Sequence, residues 1–483
     1  MTSSTGSITS MGIGSGLDVN SIISKLMSVE SQPMTILQQQ QQSYNTELSG
    51  IGQLASYTSA MTDAAQKIAS VALWKQTTAS SSDTSSVNVS TDSTSAPGTY
   101  AVSVQQLATS QTVSSRAFGD STATFGAGSL TIELGSWTGE PAPTGFTPKS
   151  GSSAITVQVA EGDSLATIRD KINAAGAGVN ATIVTDASGA RLALRSSDTG
   201  AENAFRVTTS ETNDDGDATA GLSAFAFDAT QASQMTRNQT AVNAQATING
   251  IAVSSASNTL TGVSDGLTIT LQKQTTSDVS LTVANDSTGQ QNAINAFVTA
   301  FNQLTSYIHN QTKYDPDSKT GGPMQGDQTV LGLQSQLRNV INQESSASGT
   351  YQTLSQIGIS MQTDGTLAVD SSKLSAALDN PTELRKLLAA DGDTTAEQGF
   401  MTRFVTVGNA ATDATNGSLT VRTNSLNDMI KRNQQSQDAM QQRLDDEQAS
   451  LEKQYQALDT TMAQMSQLSS YLTTQLSSLS ATA

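Results

Sequence analysis

The chain has 483 residues, 36% apolar and 4% aromatic, and its 42 acidic side chains against 24 basic ones give a formal net charge of −18. That balance argues against partners held by their phosphates, nucleic acid or anionic lipid, because Lys and Arg are not in surplus. Cysteine is absent, which excludes disulfides and thiolate metal sites and suits a protein exported unfolded.

A chain of this length is expected to form about two to four domains. The opening Met1-Thr2-Ser3-Ser4 has neither a basic segment nor an apolar one, so no conventional secretory signal is expected. No run of about eighteen apolar residues occurs, so no membrane span is expected either. Residues 1–16 are rich in Ser, Thr and Gly and read as flexible. Asp18 then caps a predicted helix with Ile22, Ile23, Leu26 and Met27 on one face, and Pro33 ends that helix or opens the next. From Met34 to about Trp74 the spacing stays helical, with Leu54, Tyr57, Met61, Ala64, Ile68 and Val71 stepping by three and four. The Gln38–Gln42 run lies on a solvated or interface face.

From about Gln76 to Asn285 the period becomes two, as in Val87 and Val89, Tyr100, Val102 and Val104, and Ile155, Val157 and Val159. Turn clusters such as Ser95-Ala96-Pro97-Gly98 separate these strands. One helix interrupts, Ser164 to Ala175, with Leu165, Ile168 and Ile172 inward and Gly176 as its stop. Strands follow at Ala181–Thr185 and Arg191–Arg195. Glu211–Asp228 holds five acids and no base and reads as an exposed acidic loop. Further strands are predicted at Ala246–Ile251, Leu267–Leu271 and Val279–Val283.

Helix resumes at Asp286-Ser287-Thr288, where Ser287 and Gln290 have capping-box spacing, and continues through Ile294, Phe297, Phe301, Leu304 and Ile308. A loop at Tyr314–Gly326, a helix near Thr329–Gln343 and a small hairpin of Ile357–Ile359 with Leu367–Val369 around Asp364-Gly365 come next. Two helical stretches, Leu374–Ala390 and Met401–Val407, precede a long C-terminal helix. In that helix Met440, Leu444, Leu451, Tyr455, Leu458, Met462, Met465, Leu472, Leu476 and Leu479 recur at spacings of three, four or seven.

Helix, then strand, then helix implies nesting. The expected fold is multidomain α+β: a helical coiled-coil or bundle stalk made by both chain ends, with two nested β-rich head domains between them. Residues 1–45 and 430–483 form the terminal coiled-coil leg, and residues 46–76 and 286–429 a helical bundle. Residues 77–115 and 236–285 form an inner β-rich head, into which 116–235 insert as an outer, variable one. The tips carry almost no charge: Asp18 is the first charged residue and no Asp, Glu, Lys, Arg or His follows Asp459. Residues 466–483 can bury only Leu468, Tyr471, Leu472, Leu476 and Leu479, at roughly 1.5–3 kcal/mol each. Ordering each residue costs roughly 1–2 kcal/mol. Such a segment needs partner helices, so the leg is expected to be disordered in the free subunit.

Catalytic constellations are weak. His309, the one histidine, is read as a helix-flank residue with no serine elbow to serve. Glu211-Thr212-Asn213-Asp214-Asp215-Gly216 opens like a calcium loop, but its twelfth position is Leu222 instead of Glu. Gly12-Ile13-Gly14-Ser15-Gly16 lacks the preceding strand and spacing of a dinucleotide loop and reads as a hinge. No catalytic residue, metal or cofactor is expected, and an enzyme is the least favoured reading.

Gly14-Ser15-Gly16-Leu17-Asp18-Val19, Ile22-Ile23-Ser24-Lys25-Leu26-Met27 and Pro33 resemble the start of flagellar filament caps, the hook-associated protein 2 family. Asn292–Tyr307, Gly326-Asp327, Leu354-Ser355-Gln356-Ile357-Gly358-Ile359, Asp364-Gly365-Thr366-Leu367 and Leu451-Glu452-Lys453-Gln454-Tyr455 resemble that family's C-terminal region. Leu165–Arg195 is similar to a module found inserted in flagellins and hook-associated proteins. The resemblance implies a secreted structural protein at the distal tip of the flagellum. It further implies a homo-oligomeric ring of about five subunits that aids insertion of flagellin and prevents its leakage. Hook–filament junction proteins, the flagellar export apparatus and an export chaperone are the other implied partners. The expected assembly interface comprises Leu17, Ile22, Leu26, Leu451, Tyr455, Leu458, Met462, Met465, Leu468, Leu472, Leu476 and Leu479. An adhesin, using the β head to bind mucin or glycans, is the alternative.

Overall fold

Helix and strand segregate along the chain, and a computed structural model describes this for residues 18–214, 216–317 and 319–480. Two units result, one of residues up to 73 and from 288 onward, the other of residues 74–287. The Gly-rich stretch before Asp18, Leu17 included, lies outside the described residues.

Asp18 caps α1 (Val19–Glu30) by accepting from the Ser21 amide at 3.0 Å. After Ser31 comes α2 (Gln32–Ala69), with Pro33 in its first turn, where a missing N–H costs nothing. Leu54, Met61, Ala65 and Ile68 of α2 are buried, and so are Thr58 and Thr62. Those two hydroxyls donate to the carbonyls of Leu54 and Thr58, both at 2.8 Å, so neither enters the core with an orphaned donor. Val71, expected to continue the stripe, is 46% exposed, because extended Ser70 breaks the helix before the short α3 (Val71–Trp74).

In the β-rich unit, strands from both flanks of the insertion pair with each other. One antiparallel sheet orders Thr77–Ser81, Val279–Asn285, Gly98–Gln106, Ala244–Ile248 and Ile251–Ser255; a second orders Thr259–Thr261, Leu267–Leu271 and Val87–Thr91. Their inward positions, among them Val87, Val102, Val104, Ile269 and Leu281, form one core. The segment predicted as one strand, Ala246–Ile251, is instead a hairpin. Asn249 and Gly250 both have positive φ, 51° and 81°, as a tight two-residue turn requires, and the Asn249 side chain accepts from the Ala101 amide at 2.9 Å.

A second core collects the rest of this unit. The long strand Gly128–Thr138, which alternation alone did not pick out, pairs with Ala204–Glu211 on one edge and with Gly145–Pro148 and Ile155–Val159 on the other. A neighbouring sheet orders Thr236–Gln239, Thr112–Ser114, Gly189–Ser196 and Val179–Asp186. Between them α4 (Leu165–Ala175) buries Leu165, Ile168 and Ile172 and stops at left-handed Gly176. Strands at 112–114 and 236–239, and Val113 with them, thus belong to this second core. The acidic stretch is only partly a loop, since Leu222, Ala224 and Phe225 of its 3-10 turn are buried.

The remaining helices return to the first unit. In α5 (Ser287–Thr312), Gln290 takes an inward position instead of closing a capping box; it is fully buried with its amide unpaired. Asp327 caps α6 (Gln328–Asn342). The hairpin pairs Ile359–Met361 with Leu367–Val369, after a 3-10 turn at Leu354–Ile357. The stretch Leu374–Ala390 splits into α7 (Ser371–Leu378) and α8 (Pro381–Ala389), because Asn380 caps α8 and Pro381 has no N–H to continue α7. Next, α9 (Phe400–Thr412) brings Phe404 within 5.0 Å of Phe297 and 5.8 Å of Phe301, ring centre to ring centre. The 63-residue α10 (Ser418–Ser480) ends the described chain.

At the crossing of α9 on α2, a Cβ on Gly408 would lie 1.8 Å from the buried Thr62 hydroxyl. Gly408→Leu should therefore destabilise the helical unit by about 1–3 kcal/mol in urea unfolding; an unchanged midpoint would show that the crossing relaxes freely. The Glu383 carboxylate accepts from Lys386 Nζ at 2.7 Å, the Ser348 hydroxyl at 2.8 Å and the Gly349 amide at 2.7 Å, and these bonds hold its pKa down to about 2 from 4.5. A depressed carboxylate stabilises above its unfolded value and stops doing so as pH falls through its folded one. Glu383→Gln should lower the thermal midpoint at neutral pH, with the difference shrinking below about pH 4.5; a gap that persists near pH 2 contradicts the assignment.

Candidate functional site

Helices α2 and α10 run antiparallel, and their seam changes character along its length. At one end Leu426 is buried, and Arg422 ties three helices together. Its Nε donates to Asp327 Oδ2 at 2.8 Å and its Nη2 to Glu47 Oε2 at 3.1 Å, while Asp327 Oδ1 accepts from the Thr329 and Val330 amides at the start of α6. Burial pushes the Glu47 carboxyl above its usual value; Arg422 opposes that shift and Asp327 reinforces it.

The middle of the seam is polar. Gln41 Nε2 donates to Gln434 Oε1 at 3.1 Å, Asn433 Nδ2 reaches Gln40 Oε1 at 3.5 Å, and Gln437 Nε2 donates to Asn433 Oδ1 at 2.6 Å and also to Gln41 Oε1. Asn433 is buried. A side-chain amide at a core position of a coiled coil fixes register at a cost in stability. Beyond it, α1 packs on α10. Val19 and Ile23 are buried there, Leu444 is buried on α10, and Glu30 lies 3.8 Å from Arg443.

The last third of α10 has a different surface. Leu458, Met465 and Leu472 recur every seven residues, with Met462, Leu468 and Leu476 beside them on the same stripe, and all six are 39% to 66% exposed. Among the described residues nothing covers this stripe. Leu451 and Tyr455, just before it, are half-buried. Leu479 lies within α10 but its side chain is outside the described residues, as is all of Leu17. On α1 the expected pair is displaced by one position: Ile22 is half-buried and Leu26 is 41% exposed, while Val19 and Ile23 point inward. The expected interface omits Val19, Ile23 and the Gln40, Gln41, Asn433 and Gln437 cluster, although Ile23 lies on the predicted apolar face and Gln40 and Gln41 in the run read as a solvated or interface face; the four-residue step from Val19 to Ile23 is the available signal.

No chemistry of bond making emerges beside this stripe. Among the described residues no three His, Asp or Glu side chains converge to hold a metal ion. His309 is exposed in the last turn of α5. Glu211 turns inward to accept from the Ser223 amide at 2.6 Å, and Leu222 is buried, so the calcium-like loop is closed on itself. No helix among the described residues is long and apolar enough to cross a membrane. What the arrangement offers is a rod with an uncovered apolar stripe, suited to other helices.

Comparison with known proteins matches residues 15–111 to the N-terminal model of flagellar hook-associated protein 2 and residues 241–467 to its C-terminal model. Residues 145–198 match the flagellin hook IN motif. Flagellar hook-associated protein 2 of Escherichia coli (strain K12) is 33% identical, covering 97% of this chain and 98% of that protein. That of Salmonella typhimurium is 29% identical, covering 98% and 99%. The crystal structure of the D1-D2-D3 domains of the flagellar cap protein from Escherichia coli superposes with a TM-score of 0.59 at 29% identity, covering 78% of this chain and 99% of that one.

The polar seam makes its own prediction. Asn433→Leu removes the one buried amide of the cluster, while exposed Gln40 can turn to water and Gln437 keeps its bond to Gln41, so it should change stability in urea unfolding by no more than about 1 kcal/mol. Replacing Gln40, Gln41, Asn433, Gln434 and Gln437 together with leucine removes donors and acceptors as a set and should be neutral or stabilising. A fivefold variant less stable than the single one would mean that the amide ladder itself holds the seam.

Proposed function

The chain belongs to the flagellar hook-associated protein 2 family, and from that premise we propose that it caps the distal, extracellular tip of a bacterial flagellar filament. The observation that carries the reading is the uncovered stripe of α10 from Leu458 to Leu476. In this reading residues 1–45 and 430–483 are the leg that enters gaps among filament helices; contrary to the expected disorder, α1, α2 and α10 are already paired helices, and what the filament adds is a cover for the stripe of α10. Residues 46–76 with 286–429 are the bundle that carries the leg. The inner and outer β modules, 77–111 with 240–285 and 112–239 with the strands at 112–114 and 236–239 counted in the second core, form a plate in a ring of copies, about five by resemblance. Flagellin emerging from the channel is retained beneath that plate and inserted below it. Junction proteins, the export apparatus and an export chaperone are met on the way out. No observation favours glycan binding by the β modules, so the adhesin reading is set aside.

Leucines in such a stripe are worth roughly 1.5–3 kcal/mol each when covered. Leu472→Ser with Leu476→Ser should then weaken the grip by about a hundredfold or more, since each 1.4 kcal/mol is tenfold. Cells relying on this double variant should shed unpolymerised flagellin into the medium and carry short filaments. Normal filaments and a flagellin-free medium would refute the reading.

A further inference from the structure

Met462 and Met465 sit about one turn apart inside the uncovered stripe, 39% and 64% exposed, between Leu458 and Leu472. The chain has no cysteine, so methionine thioethers are its only sulfur atoms. Four others, Met61, Met235, Met324 and Met401, are at most 2% exposed. Met27, Met34, Met361, Met429 and Met440 are half-buried, so among the described residues the two most exposed sulfurs lie in the stripe that the capping reading needs apolar.

We propose that Met462 and Met465 form an oxidation-sensitive site whose modification disables the tip of α10 before assembly. A hydroperoxide delivers one oxygen atom to each thioether: its O–O bond breaks, an S–O bond forms, the sulfur is oxidised by two electrons and the peroxide leaves as water or the alcohol. The product is polar and a hydrogen-bond acceptor. Buried in a helical interface without a donor, it costs far more than the thioether it replaces. No Asp, Glu, Lys, Arg or His follows Asp459, so the segment has no charged contact to fall back on. The inference rests on the capping reading above, in which this stripe becomes covered. Once covered, both sulfurs are shielded, so the modification acts on the unassembled subunit.

Hydrogen peroxide applied to the full chain, followed by peptide mass mapping, should oxidise Met462 and Met465 at least roughly tenfold faster than Met61 and Met401. The oxidised chain, supplied to filaments of a strain lacking its own cap, should fail to retain flagellin. A chain carrying Met462→Leu and Met465→Leu should lose no retention on peroxide treatment, each sample being measured against its own untreated level. Oxidation of Met462 and Met465 no faster than that of Met61 and Met401 overturns the inference, as does an oxidised chain that retains flagellin like the untreated one, or a leucine variant that peroxide disables equally. An untreated wild-type chain that does not retain flagellin would instead refute the capping reading, while the oxidation rates still test the site.

Discussion

Everything else in the helical unit depends on the antiparallel pairing of the first helices with the last. Residues almost four hundred positions apart are joined there, Gln41 with Gln434 and Glu47 with Arg422. Closing so long a loop costs entropy that grows only slowly with length. The 74–287 unit can therefore be inserted between the ends without a proportionate penalty. The same logic repeats inside that unit, where Thr77–Ser81 pairs with Leu281–Asn285. Each insertion is closed by its own flanks before the chain goes on.

The seam is not uniformly strong, and the pattern suits its task. Leu426 and Leu444 are buried to either side of an amide-lined middle at Asn433 and Gln437. Apolar ends give affinity, while the amides discriminate between registers, because a shifted pairing would leave Asn433 unpaired in a buried site. Arg422 adds a fixed point: it takes one oxygen of Asp327 while the other holds the start of α6. A sliding α10 would break a helix cap as well as an ion pair.

Much of this was legible in the sequence, for identifiable reasons. The periods of two and three to four placed the β region and the helices on either side of it, and the heptads of α10 marked the stripe that is uncovered. What failed were local decisions where two rules compete. Asn249-Gly250 carries a strong turn signal, yet the apolar Ala246–Ile251 run masked it. Pro381 splits a helix that periodicity alone joins. Gln290 has cap spacing but lies on the buried face, where packing overrides capping. On α1 the inward step is Val19 to Ile23, one position from the expected interface pair Ile22 and Leu26, because four apolar residues among the six of Ile22–Met27 leave the face undetermined by composition. Most difficult was the Gln and Asn cluster, since amides on a helix read equally as solvated or paired until the facing helix is known.

The distribution of charge explains why the uncovered stripe lies where it does. Copies of a chain with a net charge of −18 repel one another, and the repulsion extends over about 10 Å at moderate salt. Close approach of several copies is easiest where charge is missing. Beyond Asp459 the helix has no Asp, Glu, Lys, Arg or His, and the exposed Met462, Met465, Leu468, Leu472 and Leu476 all fall within that neutral span. Charge over the rest of the molecule opposes close approach of free subunits. Neutrality at the tip allows them, or the helices of another protein, to pack without first neutralising anything. An apolar stripe on a charged segment would lose part of its association energy to repulsion, whereas a neutral helix without the stripe would have little to hold it.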